Sequence, residues 1–221
     1  MTYRQLKQQV FNLLQAEDFK TGLQALGELP PRKVVNPLFG LLHHHSPVRW
    51  RAVAAMGKVV AAMADQDLES ARVIMRRLMW NLNDESGGMG WGSPEAMGEI
   101  MARHRRLGEE YATILISYLN PGGNYLEHEG LQQGLLWAVG RLAGAHPDLA
   151  APALDFLLPF LTSPDPTLRG LSVWCAGLLP AQGNEIRRQL SVSRGDRAVV
   201  ELFLDGRLEK VTIADLARAV L

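Results

Sequence analysis

Residues 82–100 read "LNDESGGMGWGSPEAMGEI", and this stretch concentrates groups that could do chemistry. Asp84, Glu85, Glu95 and Glu99 supply carboxylates, Gly87, Gly88, Gly90 and Gly92 supply pliable backbone, and Trp91 supplies an aromatic face. Glycine-rich backbone running into a helix start can cradle an anion. Here the spacing does not match a phosphate loop, and no lysine followed by Ser or Thr comes after the last glycine. The four carboxylates would also repel a phosphate unless Arg76 or Arg77 intervened, so nucleotide binding is set aside.

Two other chemistries fit these residue types. Glu95 and Glu99 stand four apart on one helical face, with His104 beyond them and His128 in the segment Glu127–Glu129. Carboxylate and imidazole together can ligate iron or manganese, which defines a metal- or cofactor-dependent enzyme as one alternative. The other is a recognition groove. Trp80, Trp91 and Trp137 lie near Asn83 and the carboxylates Asp84, Glu85, Glu95 and Glu99, a composition typical of interface hot spots. Its acidic balance selects a basic peptide or an amine-bearing partner. No Ser-His-Asp or Cys-His arrangement has interpretable spacing, so a non-enzymatic binding role, needing no cofactor, is the leading expectation.

The elements that must position these groups are legible from an internal repeat. The segments "SPVRWRAVAAMGKVVA", "GMGWGSPEAMGEIMA", "EGLQQGLLWAVGRLA" and "DPTLRGLSVWCAGLL" align on Gly57, Gly98, Gly140 and Gly177, spaced 41, 42 and 37 residues apart. Ala55, Ala96, Ala138 and Cys175 sit two residues before those glycines, and Ala25 with Gly27 forms a weaker copy. Small residues on one helical face let a neighbouring element approach closely. Between the glycines run second helices with apolar residues at helical spacing, such as "LESARVIMRRLMWNLN".

A helical pair of about forty residues resembles the HEAT repeat, best in the first segment through Val48, Arg49, Ala52 and Gly57. The resemblance implies an all-α, right-handed solenoid of four to five helical pairs over residues 1–196. HEAT repeats also occur in a di-iron hydroxylase, deoxyhypusine hydroxylase, whose His-Glu pairs recur in register. Here one such pair, His128-Glu129, is present, and the recurrence is missing. HEAT-like DNA alkylation-repair glycosylases use a basic face with aromatics and an aspartate. Arg72, Arg76, Arg77, Arg103, Arg105 and Arg106 could form such a stripe beside Trp80 and Asp84. Glu109 and Glu110 follow at once, and 23 Lys+Arg against 23 Asp+Glu give no net charge, which argues against nucleic acid.

Within the repeat register, Ser93 reads as a helix N-cap, Pro94 as the first helical residue and Glu95 as a first-turn carboxylate. Residues 87–92 then replace about two turns of helix, leaving a notch in the solenoid wall. Trp137 and Trp174 share one register and Trp50 and Trp91 another, which assigns the first pair to packing between repeats. His43–His45 reads as a polar turn, and Cys175 as an inert packed thiol. A single cysteine and the lack of a long apolar run fit a cytoplasmic protein with no membrane span. Residues 197–221 alternate apolar and polar about Asp205-Gly206, a hairpin signal, before Thr212 caps a last short helix. This β-hairpin and helix are expected to cap the solenoid, and the hairpin edge could also support a homodimer.

Overall fold

The computed structural model describes residues 2–83, 90–180 and 182–220. Its helices run α1 (Tyr3–Gln15), α2 (Phe19–Gly27), α3 (Pro31–Leu41), α4 (Val48–Gln66), α5 (Leu68–Leu82), α6 (Ser93–Arg103) and α7 (Arg105–Ser117). They continue with α8 (Glu129–Ala145), α9 (Pro147–Ala150), a 3₁₀ turn at Ala151–Ala153, α10 (Leu154–Leu161), α11 (Pro166–Leu178) and α12 (Asn184–Ser193). Strands β1 (Val199–Leu204) and β2 (Arg207–Thr212) precede the final helix α13 (Ile213–Val220).

The four column glycines occupy α4, α6, α8 and α11, which pack side by side as one inner layer. Helices α3, α5, α7 and α10 form the second layer, each against an inner neighbour. No pair could bury its apolar face alone, so stacking builds a continuous core. The glycines explain the tight spacing. A Cβ on Gly98 would lie 2.5 Å from the Ala138 Cα, so the α6 and α8 backbones nearly touch there. At Gly140 the missing side chain instead makes room for the Trp174 ring, and at Gly57 for the Glu99 side chain.

Helix starts follow local chemistry. Thr2 forms a capping box with Gln5, while Asp18, Asp67 and Asp165 accept backbone N–H groups at the starts of α2, α5 and α11. Helix α6 differs from the expectation: Gly92, at φ 76°, takes the N-cap position, and Ser93 is already helical and buried. A left-handed φ favours glycine there. Its Cβ would also meet Leu42, leaving no room for a side chain. Helix α6 begins five residues before its glycine, whereas α8 and α11 begin eleven before theirs. Every residue of α6 from Ser93 to Met101 is buried, including both glutamates.

The C-terminal hairpin closes through Asp205 and Gly206, both at positive φ, with Leu204 paired to Arg207 and Val199 to Thr212. Thr212 accepts the Asp215 N–H and donates to its carboxylate, capping α13. Helix α13 packs on α11, with Val220 over Gly177, and so covers the last inner helix. The hairpin goes further. Val200 packs on Gly170 of α11, Phe203 reaches Trp50 of α4 and Trp137 of α8, and Gly206 lies against Phe19 of α2. Six residues per strand span about 20 Å, enough to cross the open face of the inner layer from its last helix to α2. Among the described residues, no helix is long and apolar enough to cross a membrane.

Candidate functional site

Where the hairpin crosses the inner layer, Phe203 completes an aromatic cluster with Trp50 and Trp137. Its ring stacks on Trp50 at 5.2 Å and 13°, Trp50 lies 4.9 Å from Trp137, and the Trp137 indole N–H donates to the Phe203 carbonyl at 3.0 Å. Aromatic pairs and a buried N–H bond of this kind fix the hairpin in place. This aromatic wall separates two cavities under the hairpin, of about 400 and 620 Å³, and Trp137 lines both.

The smaller cavity is lined by Trp50, Trp91, Trp137, Glu95, Arg49 and Gln133, together with residues of β1 and β2. Glu95 is 3% exposed, and its Oε2 has no hydrogen-bond partner. Arg49 approaches Oε1 only to 3.7 Å, too long for a good hydrogen bond but close enough to act as a charge. Burial pushes the Glu95 carboxyl above the ordinary carboxylate range, and the Arg49 charge offsets only part of that. Glycines make this arrangement possible. A Cβ on Gly134 would stand 2.6 Å from the Glu95 carboxyl carbon, and one on Gly130 would collide with the Trp91 ring. On successive turns of α8 these two glycines therefore leave a trough that holds Trp91 and Glu95. Trp91 also meets the edge of His128 at 5.0 Å.

Glu99, one turn further along α6, belongs to the other cavity. It is 4% exposed, and its two oxygens accept from the Nε groups of Arg103 and Arg141. The stacking of α4 and α8 on either side of α6 shields it from water.

The sequence-predicted site residues thus divide. Trp91 and Glu95 share the smaller cavity, and Glu99 lines the larger one. Trp80 is 73% exposed on α5 and lines neither, so it does not join Trp91 and Trp137. Asn83 is exposed at the end of α5. Asp84 and Glu85, with Gly87 and Gly88, lie outside the described residues, as does the first half of the expected notch, residues 87–89. The metal-ligand candidates Glu95, Glu99, His104 and His128 do not converge. His104 accepts the Leu107 N–H at the start of α7, and His128 accepts the Gly130 N–H at the start of α8. Among the described residues no three His, Cys, Asp or Glu side chains form a metal-sized cluster.

The arginines of the expected basic stripe are also engaged. Arg72 and Arg106 meet Glu110, Arg76 meets Glu69, and Arg105 meets Glu109 and Asp148. Arg77 stacks over Phe39 and donates to Asn36. Sequence reasoning missed Gly130, Gly134, Trp50 and Phe203 as parts of a site. The two glycines four apart in "EGLQQGLL" were the available signal, since that spacing bares one helical face. Nothing in the sequence announced that the hairpin would fold back over Trp50.

Comparison with known proteins agrees with this architecture. The HEAT-like repeat family matches residues 130–175, which cover α8 to α11. An uncharacterised protein of Archaeoglobus fulgidus is 22% identical over 192 residues, covering 86% of this chain and 95% of that protein. A designed armadillo repeat protein in complex with peptide (KR)4 is similar in structure, with TM-score 0.53 and 17% identity over 97% of each chain. An engineered protein reaches TM-score 0.56 at 13% identity, covering 97% of this chain and 96% of its own. At such identities the structural likeness speaks for the fold alone. Its glycine-column helices stack through the matched region and on both sides of it, so the chain has the fold of HEAT-like repeat proteins.

Proposed function

We propose that this protein is a non-enzymatic binding module that receives a cationic side chain of a protein or peptide partner in the cavity of Trp50, Trp91, Trp137 and Glu95. The observation that carries this reading is the buried Glu95 carboxylate with one oxygen unpartnered. Burying an ionisable group without a full set of partners is costly, and an incoming ammonium or guanidinium would relieve that cost. Tryptophan faces around it suit the same class of ligand, since their quadrupole attracts a cation by ~0.5–2 kcal/mol per contact. Arg49, whose guanidinium lies 5.0 Å from the Trp50 ring centre, already rests against an aromatic face in this manner.

The structurally similar designed armadillo protein holds a peptide, which is in keeping with a protein or peptide partner; the basic character of that partner rests on Glu95 and the tryptophans. The recognition site keeps Trp91 and Glu95 from the glycine-rich segment and adds Trp50 and Trp137 from the neighbouring repeats. Trp80 and Asn83 fall outside it.

Calorimetric titration with an octapeptide of alternating Lys and Arg tests the proposal. One-to-one saturable binding is expected, weakened at least tenfold by Glu95→Gln and by Trp91→Ala, and unchanged by Trp80→Ala. Both weakened variants should keep a cooperative thermal melt. Peptide binding that ignores Glu95→Gln, or fails to saturate, would overturn the assignment.

A further inference from the structure

The larger cavity, on the other side of the aromatic wall, has the opposite chemistry. Its walls carry the partly buried side chains of Arg51, Arg103 and Arg141 against one buried carboxylate, Glu99. Its other acidic residues, Glu17, Asp18 and Asp205, are exposed at the rim, where Lys20 and Arg207 accompany them. Asp18 is in addition committed to the start of α2, where it accepts the Lys20 and Thr21 N–H groups. The interior therefore holds three fixed cations to one anion.

Those cations are held ready. Glu99 accepts only the Nε groups of Arg103 and Arg141, and the terminal nitrogens of both guanidinium groups bond to no other described residue. Arg51 donates to the Leu14 and Ala16 carbonyls, so its charge meets peptide dipoles and no carboxylate. Glu99 itself cannot drift, because its stem fills the space over Gly57 and its oxygens tie α6 to α8. Two guanidinium groups anchored by their Nε atoms leave outer donors of the kind that bind carboxylate or phosphate oxygens. The remaining wall is apolar and aromatic, with Trp137, Trp174, Phe203 and Leu178. A volume of about 620 Å³ falls in the range of small-molecule sites.

We infer that this cavity binds a small organic oxyanion, with its carboxylate between Arg103 and Arg141 and its apolar body against Trp137, Trp174 and Phe203. This site shares no charged residue with the cationic-side-chain site, so either can fail without the other. The hairpin tip at Leu204–Arg207 forms its roof, which lets an occupied cavity tighten the closure of the hairpin on α2.

Calorimetry on the full chain with 2-naphthoate tests the inference, beside the neutral 2-naphthamide and the cationic 2-naphthylmethylamine. Naphthoate should bind one-to-one and at least tenfold more tightly than either control. Arg103→Lys and Arg141→Lys keep a cation beside Glu99 while losing the fork, so each should retain the wild-type melt and lose at least fivefold in naphthoate affinity. Equal binding of the three probes, preference for the amine, or lysine variants that bind naphthoate like the wild type would each overturn it.

Discussion

The Trp137 indole N–H donates to the Phe203 carbonyl at 3.0 Å, and this bond joins the third column helix to a strand 66 residues later in the chain. It places the hairpin over the face of the inner layer, where both cavities form beneath it. Removing the Phe203 ring should therefore detach the hairpin tip as well as hollow the core. Phe203→Ala is expected to cost ~3–5 kcal/mol, and Trp137→Phe about 1 kcal/mol for the lost bond plus some packing. Denaturant unfolding measures both, and amide exchange of residues 199–212 should quicken in each variant. A Phe203→Ala protein with unaltered exchange would show that the hairpin is held elsewhere.

Glu95 and Gly134 occupy one space. Gly134→Ala should destabilise by ~1–3 kcal/mol through overpacking against the carboxylate. Shortening the partner relieves the clash, so Glu95→Ala combined with Gly134→Ala should be less destabilised than the two single changes summed. A double-mutant cycle reads this coupling, and strict additivity would contradict the packing described.

The buried Glu95 also gives stability a pH dependence. Its folded-state pKa is raised above the unfolded value, so the folded protein binds the extra proton. The stability cost of ionising it is absent below the ordinary carboxylate range, grows as pH rises toward the folded value, and is complete above it. Glu95→Gln removes that cost. The variant should exceed the wild type in melting temperature at neutral pH, with the gap closing as pH falls into the ordinary carboxylate range. A gap that widens on acidification would reverse the sign and the explanation.

Cys175 lies fully buried in α11, and burial pushes its thiol up to about 12. Alkylation by iodoacetamide at neutral pH should be negligible in the native state and rapid in denaturant. Rapid native labelling would mean that the last repeat opens readily.

Much of this molecule was written in one dimension. The glycine column at Gly57, Gly98, Gly140 and Gly177 encodes stacked helices because helical spacing repeats faithfully along the chain. The Asp205-Gly206 turn and the Thr212–Asp215 cap are equally local, set by φ preference and short hydrogen bonds. Trp91 and Glu95 stood out by composition.

Other features depended on contacts between distant segments. Local pattern says that a hairpin forms but not which surface it meets, and the meeting of Phe203 with Trp50 decided that both cavities have a roof. Glu95 and Glu99 share a helical face in sequence, yet the aromatic wall sends them to separate cavities with different charge. Trp80 sits within a dozen residues of Trp91 and still faces solvent, because α5 belongs to the outer layer. Periodicity along the chain determined the repeat; burial, and with it the chemistry of each carboxylate, was fixed only when the layers and the hairpin came together.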